Sequence, residues 1–254
     1  MGFFGKISTR EEFTVKAEIQ AIDIQGFNGS VTWVPVDADG PRIVAEKEVR
    51  GVTGRGLDEV MADLKIEDFS TPEKLVLRAT APETFSKMVG SQVTFTIYAS
   101  PQQIKSFQAR TSNGAISVEV DFEGRLELQT SNGRIEIQSA SGTIHASTSN
   151  GRIEFGKLAL SSSSSIRTLN GRIAGQAVFP EEGEFRFETH NGSIELRIPH
   201  ETSGSFDART NNGTVEYRVG EDQRLDRRQV LVQRDAGPTV WVSTSNGRIS
   251  ILGY

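Results

Sequence analysis

The sequence predicts an all-β chain, folded as a single-stranded parallel β-solenoid (β-helix) with coils of about 20 residues and one short helix in its amino-terminal part. Three observations carry that expectation. Asn-Gly recurs eight times, at 28–29, 113–114, 132–133, 150–151, 170–171, 191–192, 212–213 and 246–247. From Asn113 to Asn212 the steps are 19, 18, 20, 21 and 21 residues, and the last, to Asn246, is 34. The flanks alternate with a period of two. Thr stands two positions before Asn in seven copies, with Gly26 in its place in the first, and a β-branched residue stands three positions after Asn in all eight, from Val31 to Ile249. Side chains two apart share one face of a strand, so each copy reads as strand, tight turn, strand; a helical period would scatter these positions round a cylinder.

In chain order, residues 13–25 and 30–36 read as the first such copy, with Ile24 ahead of Asn28 and Val31 and Trp33 behind it. PRIVAEKEV (41–49) alternates as a strand. GLDEVMADLK (56–65) sets Leu57, Val60, Met61 and Leu64 on one helical face and is the one convincing helix. KLVLRAT (74–80) and QVTFTIYA (92–99) follow as strands. Residues 1–104 are expected to be a β-rich section that caps the open amino-terminal end of the array, because stacked repeats need covered ends. Residues 105–254 are expected to be the array itself, continuous with that cap in one domain. There the residues four before Asn (Ala109, Leu128, Ala146, Ile166, Phe187, Ala208, Val242) and five after it (Val118, Ile137, Phe155, Gly175, Leu196, Tyr217, Ile251) fill the inner face. The second bend of each coil varies freely: DFEG (121–124), SASG (139–142), GKLALSSSSS (156–165), PEEG (180–183) and HETSG (200–204). Residues 218–235 supply the extra length before the last copy, as a longer bend with an added strand or as a functional loop.

Asn-Gly is also the strongest short-range hairpin signal. An antiparallel hairpin meander would set Thr130 opposite Ile135 and Leu128 opposite Ile137, and a barrel is a further alternative. The solenoid is preferred because it closes its own sheets over a thin core, where Ala109, Ala146 and Ala208 fit. Identical Thr and Asn stacked between coils would also satisfy polar groups at the bends. Gly is expected to provide a positive φ at each turn, which Asn tolerates better than most residues.

A net charge of −5 argues against non-specific nucleic-acid binding, which depends on neutralising phosphates. With no cysteine, disulfides, thiolate nucleophiles and cysteine-ligated metals are excluded. No window approaches the roughly 18 apolar residues of a membrane span, and MGFFGKISTREEF has no apolar run of signal-peptide length. The histidines, His145, His190 and His200, lack metal-ligand spacing such as HExxH. There is no P-loop, no nucleophile elbow and no dinucleotide fingerprint after a predicted strand. Asp121 and Glu123 lie near a bend, where such pairs are common. No catalytic, cofactor or metal site is expected.

The outward letters of TSNGRIEI (130–137) and TSNGRIEF (148–155) are Arg and Glu. Stacked in parallel, Arg134, Arg152 and Arg172 would form a column beside Glu136 and Glu154, with neighbours about 4.8 Å apart. Arg248, Glu195 and Glu216 hold equivalent places later. The strip reads chiefly as a solvated face of Arg–Glu pairs set diagonally across coils. Its functional reading is that Arg134, Arg152 and Arg172 grip an anionic polymer, such as a phosphate- or uronate-containing envelope glycan.

The nGsV copy at Asn28–Val31, the helix-bearing segment, the strand VTFTIYASP (93–101) and the succession of T-x-N-G-x-I copies resemble the bacterial "putative adhesin" family of β-strand-repeat proteins of unknown function, akin to the head domains of autotransporter adhesins. The resemblance extends over nearly the whole chain. It implies a β-helix-like fold and a cell-envelope or extracellular location, with an envelope glycan or another protein as partner; for a full-length chain lacking a signal peptide the expectation is instead the cytoplasm. Members often carry Asp or Ala after Asn-Gly, where this chain has Arg in four copies. The expected function is a non-enzymatic binding or scaffold protein. The alternatives are a polysaccharide-acting enzyme, which would need acids clustered in a groove, and a self-assembling protein whose end strands pair between molecules.

Overall fold

A computed structural model describes residues 4–52, 56–80, 89–234 and 236–254. In chain order its elements begin with β1 (Phe4–Thr14), β2 (Ala21–Gln25), β3 (Val31–Val34), β4 (Arg42–Val52), α1 (Gly56–Asp63), β5 (Lys65–Asp68), β6 (Lys74–Thr80) and β7 (Val89–Tyr98). The array follows with β8 (Ser106–Arg110), β9 (Ile116–Gln129), β10 (Ile135–Asn150), β11 (Ile153–Leu160), β12 (Ser164–Asn170), β13 (Ile173–Val178), β14 (Glu184–Asn191) and β15 (Ile194–Ile198). It ends with β16 (Ser205–Asn212), β17 (Val215–Val219), β18 (Asp222–Asp226), β19 (Gln229–Val232), β20 (Thr239–Asn246) and β21 (Ile249–Gly253). The helix stops two residues short of its expected end because Lys65 opens β5 instead. The strand expected at 41–49 runs on to Val52.

The β-strands form one hydrogen-bonded sheet that does not close on itself. Neighbouring Asn-Gly copies pair in parallel: Ile135 stands opposite Ile116 on one side and Ile153 on the other, and Ile153 opposite Ile173. The hairpin register, Thr130 against Ile135, is therefore not the one adopted. Strands ahead of Asn-Gly make one ladder, in the order β5, β6, β2, β8, β9, β10, β12, β14, β20, β16, β19. Strands behind it make the other, in the order β1, β4, β7, β3, β9, β10, β11, β13, β15, β21, β17, β18. The long strands β9 and β10 serve both ladders, bending at Gly124 and Gly142, where φ is 147° and 120°. At the ends the pairing turns antiparallel (β1–β4, β4–β7 and β5–β6; β16–β19 and β17–β18), so the sheet is mixed.

The order of the coils is not the order of the sequence. The last copy, β20 and β21 around Asn246, lies between the copies of Asn191 and Asn212. The extra length at 218–235 contributes β18 and β19, which run back along β17 and β16 and cover the outer side of the Asn212 copy. At the amino-terminal end β2 and β3 join β8 and β9 directly, so the first copy sits in register with the array.

The inward faces meet in one continuous apolar core, with Ile24, Trp33, Phe107, Ile135, Ile166, Leu196, Phe206 and Ile249 fully buried. Gly175 breaks the apolar column five after Asn because Phe155 of the neighbouring coil fills its place; a Cβ there would lie 2.2 Å from the Phe155 ring and from its carbonyl oxygen.

Most turn glycines correct the expectation drawn from sequence. Gly29 meets it at φ 110° and Gly247 stands at 159°, but Gly114, Gly133, Gly151, Gly171, Gly192 and Gly213 do not adopt positive φ, and neither does any described Asn. They are small because copies stack closely: a Cβ on Gly133 would lie 1.9 Å from the Gly114 carbonyl oxygen, and one on Gly151 1.9 Å from that of Gly133. Left-handed glycines recur at the second bend, which is less free than its sequence suggests: Gly124, Gly142, Gly183 and Gly204 close four of the five bends.

Thr satisfies the carbonyls so exposed to burial. The hydroxyls of Thr111, Thr130, Thr148, Thr168, Thr189, Thr244 and Thr210 donate at 2.9–3.0 Å to the Gly carbonyls of adjacent copies, respectively Gly29, Gly114, Gly133, Gly151, Gly171, Gly192 and Gly247. The first copy has Gly26 instead of Thr, and its far neighbours β6 and β7 bring no Asn-Gly carbonyl to bond. Asn completes the edge. From Asn113 to Asn28 and onward through Asn132, Asn150, Asn170, Asn191, Asn246 and Asn212, each Nδ2 donates to the preceding Oδ1 at 2.6–2.8 Å. Asn28 ends the ladder on the Ser91 carbonyl.

Candidate functional site

With Thr, Asn, Gly and the β-branched residues committed to the edge and the core, the outward positions two and four after Asn are free to vary. In spatial order the first column reads Ser30, Ala115, Arg134, Arg152, Arg172, Ser193, Arg248, Thr214, and the second Thr32, Ser117, Glu136, Glu154, Ala174, Glu195, Ser250, Glu216. Arg134, Arg152 and Arg172 thus lie on three successive coils, as expected for a column.

None of the three is a bare cation. Arg134 Nε meets Glu136 of its own coil at 3.0 Å. Arg152 meets Glu154 at 2.9 Å and reaches Glu136 on the preceding coil at 3.4 Å. Arg172, whose own coil has Ala174, takes Glu195 of the next coil at 2.5 Å. Arg248, whose coil has Ser250, pairs with Glu216, and Arg218 meets the same carboxylate at 2.7 Å. An arginine lacking a glutamate on its own coil borrows one from the next. The arginines remain about half exposed, at 47–53% for Arg134, Arg152 and Arg172. Pairs so open to water are each worth roughly 0–1 kcal/mol, so a competing anion displaces the glutamates at little cost.

Beside this strip lies a shallow depression where β9 and β10 shift register, lined by Glu119, Glu136, Glu154 and Gln138. Two of its three carboxylates are the ion-paired ones. Among the described residues no group of three or more His, Asp or Glu is placed to hold a metal ion. His190 and His200 are exposed, with Nδ1 of His190 2.9 Å from the Ser245 hydroxyl; His145 is half-buried.

Carboxyls with shifted acidity lie away from the strip. Asp37 is held below the usual carboxylate range by its bonds from Arg42, and Glu48 by Lys6 and Arg50. Asp226 is held down by the backbone N–H groups of Arg228 and Gln229, across the β18–β19 turn. Burial pushes the Tyr217 phenol pKa up, and among the described residues its hydroxyl finds no hydrogen-bond partner. It lies under the carboxy-terminal end, where the inner side of β18 carries Asp222 and Arg224; Arg224 bonds Asp222 at 3.0 Å and also the Leu231 carbonyl of β19. Sequence reading reached neither this polar lid nor the intercalated last coil. Their one sequence signal is the 34-residue step with its charge-dense insertion.

Among the described residues no helix is long and apolar enough to cross a membrane. The family model described as Toastrack DUF4097 matches residues 57–252. Similar solved structures include a "putative adhesin" from Bacteroides fragilis, 13% identical over 98% of this chain and 97% of that one, with a TM-score of 0.43. A "putative cell adhesion protein" from Clostridium sporogenes is 12% identical over 98% and 100%, with a TM-score of 0.30. A "putative adhesin" from Parabacteroides merdae is 12% identical over 97% and 96%, with a TM-score of 0.36. No curated protein matches the chain.

Proposed function

The chain belongs to the Toastrack DUF4097 family, and from that premise we propose that it is a non-enzymatic, adhesin-like binding or scaffold protein of the cell envelope. In this reading the parallel coil of 18–21 residues is the unit that sets the pitch of its binding strip, and residues 1–104 are its cap. The observation that carries it is the Arg–Glu strip. Arg134, Arg152 and Arg172 recur at coil spacing on a flat, open face, held by exposed pairs that a polyanion can replace. The ligand class is an anionic polymer such as a phosphate- or uronate-containing envelope glycan. A repeated charge at fixed pitch suits a repeated ligand better than it suits a single reacting bond.

Retention of the purified protein on immobilised polyuronate and polyphosphate, measured against rising salt, tests this. The triple variant Arg134→Glu/Arg152→Glu/Arg172→Glu is expected to lose retention while keeping its melting temperature. Unchanged retention removes the strip as the binding surface. Turnover of any offered polysaccharide would remove the non-enzymatic reading and turn attention to the depression at Glu119, Glu136 and Glu154.

A further inference from the structure

The intercalated last coil divides the array. β14 and β15 offer one wall, β16 and β17 the other, and the walls do not pair with each other; β20 and β21 fill the space between them. The occupant is recognised along its whole length. Thr244 donates to the Gly192 carbonyl at 2.9 Å and Asn246 to Asn191 at 2.7 Å on one wall. On the other, Thr210 and Asn212 donate to Gly247 and Asn246 at 3.0 and 2.8 Å. Side chains outside the ladder add selectivity: the Arg186 guanidinium lies 4.8 Å over the Trp241 ring, His190 faces Ser245 at 2.9 Å, and Glu216 takes Arg248. Val240, Val242, Ile249 and Ile251 are fully buried.

We propose that this slot is a strand-acceptor site which takes β20 and β21 of a second copy of the chain, so that two molecules exchange their last coils reciprocally. Every contact above is between the slot and residues 239–253, and none depends on which molecule supplies them. What changes on exchange is the connection from Val232 to Thr239. In the closed form its described residues lie close against the start of β16: Gly237 has φ 109° and a Cβ there would lie 2.7 Å from Gly204 Cα, while Ser205 N–H bonds the Pro238 carbonyl at 2.8 Å. Exchange opens this connection and leaves two slots filled, a closed two-fold dimer. An unfilled slot exposes unpaired edges on both walls, which is a template for the same motif from another chain.

The chain has no cysteine, so introduced ones report without background. Glu188 and Ser243 are register partners across β14 and β20 and face outward. Glu188→Cys and Ser243→Cys single variants of the full chain are mixed, warmed briefly towards the melting transition, cooled and oxidised. The expected result is a 188–243 disulfide between chains, identified by peptide mass. Its yield is expected to rise about tenfold for a tenfold rise in concentration until the protein approaches the on-the-order-of-millimolar effective concentration of a tethered segment. An off-register pair, Glu188→Cys with Thr239→Cys, is expected to give no such product. In a second arm, deletion of Ala236 and Gly237 shortens the connection without touching the slot and is expected to convert the protein to a dimer by light scattering. Absence of the register-specific cross-link at every concentration overturns the proposal. So does a shortened-connection variant that stays monomeric, or one that aggregates without forming the 188–243 link.

Discussion

Within one turn, three residue types act through different physics, and substitution separates them. Gly151→Ala places a methyl group 1.9 Å from the Gly133 carbonyl oxygen, where the neighbour is backbone and cannot swing away. A loss of about 1–3 kcal/mol or more is expected in urea unfolding. Thr148→Val keeps the shape and removes one donor, leaving the Gly133 carbonyl without its 2.9 Å bond, so about 1–3 kcal/mol is expected for a buried acceptor left unpaired. Arg134→Ala touches only exposed pairs and is expected to change stability by less than about 0.5 kcal/mol. Equal losses at Gly151 and Arg134 would contradict the division between shape-giving and outward residues. That division was legible in the sequence, since constancy at Thr, Asn and Gly stood beside variation at the next residue. The reason for Gly was not legible. A glycine kept for close approach and one kept for positive φ look alike in a sequence, and the second kind was sitting unremarked at the ends of the variable bends.

Among the elements, β20 and β21 matter more than a terminal position suggests. Among the described residues β16 pairs only with β19 and β20, and β17 only with β18 and β21, so the sheet pairing of residues 205–232 reaches the rest of the array through the last coil, with the Phe179–Phe206 ring contact at 6.0 Å beside it. Stopping the chain after residue 238 is therefore expected to release residues 205–232 as well, with backbone hydrogen exchange in that region approaching unfolded rates while β9 to β12 stay protected. Protection surviving across 205–232 would mean that β16 and β17 had closed directly onto β14 and β15. The polar lid at the same end is an edge device: Asp222 and Arg224 point toward the core side of β18 and make it a poor template for another strand. Asp222→Val with Arg224→Val is expected to raise association in light scattering, and an unchanged mass would assign the protection elsewhere. Sequence reading found the strands and the interrupted step. It could not order the last coils, because copies that share one motif offer the same Thr, Asn and Gly pairing to any neighbour, and what distinguishes them, the lengths of the connections and contacts such as Arg186 over Trp241, appears only in the fold.

At the scale of the molecule, both acid response and folding route follow from where the ties lie. Asp37, Glu48 and Asp226 all have folded-state pKa values held below their ordinary range. A depressed carboxyl binds fewer protons folded than unfolded, so its stabilisation is complete above the ordinary pKa of about 4 and is lost as pH falls through the folded value. The melting temperature is expected to be level through neutral pH and to fall below about pH 4, with part of the fall missing in Asp226→Asn. The folding route is set by the two long-range closures, one at each end of the array. The coils from Asn113 to Asn191 pair with sequence neighbours 18–21 residues away, whereas β14 and β20 join residues 55 apart, Asn191 to Asn246, and the first copy joins the array across 85, Asn28 to Asn113. Closing the longer loop costs more entropy before any contact repays it, and long-range pairing forms slowly. The two tryptophans divide these events between them: Trp33 is buried in the first copy and Trp241 stands on β20 against Arg186. In refolding from urea, Trp241→Phe leaves a probe of the amino-terminal coils and Trp33→Phe one of the last coil. By the lengths of the loops to be closed, 85 residues for the first copy and 55 for the last coil, the Trp33 signal is expected to lag that of Trp241. Coincident signals in the full chain would show that the array condenses in one step.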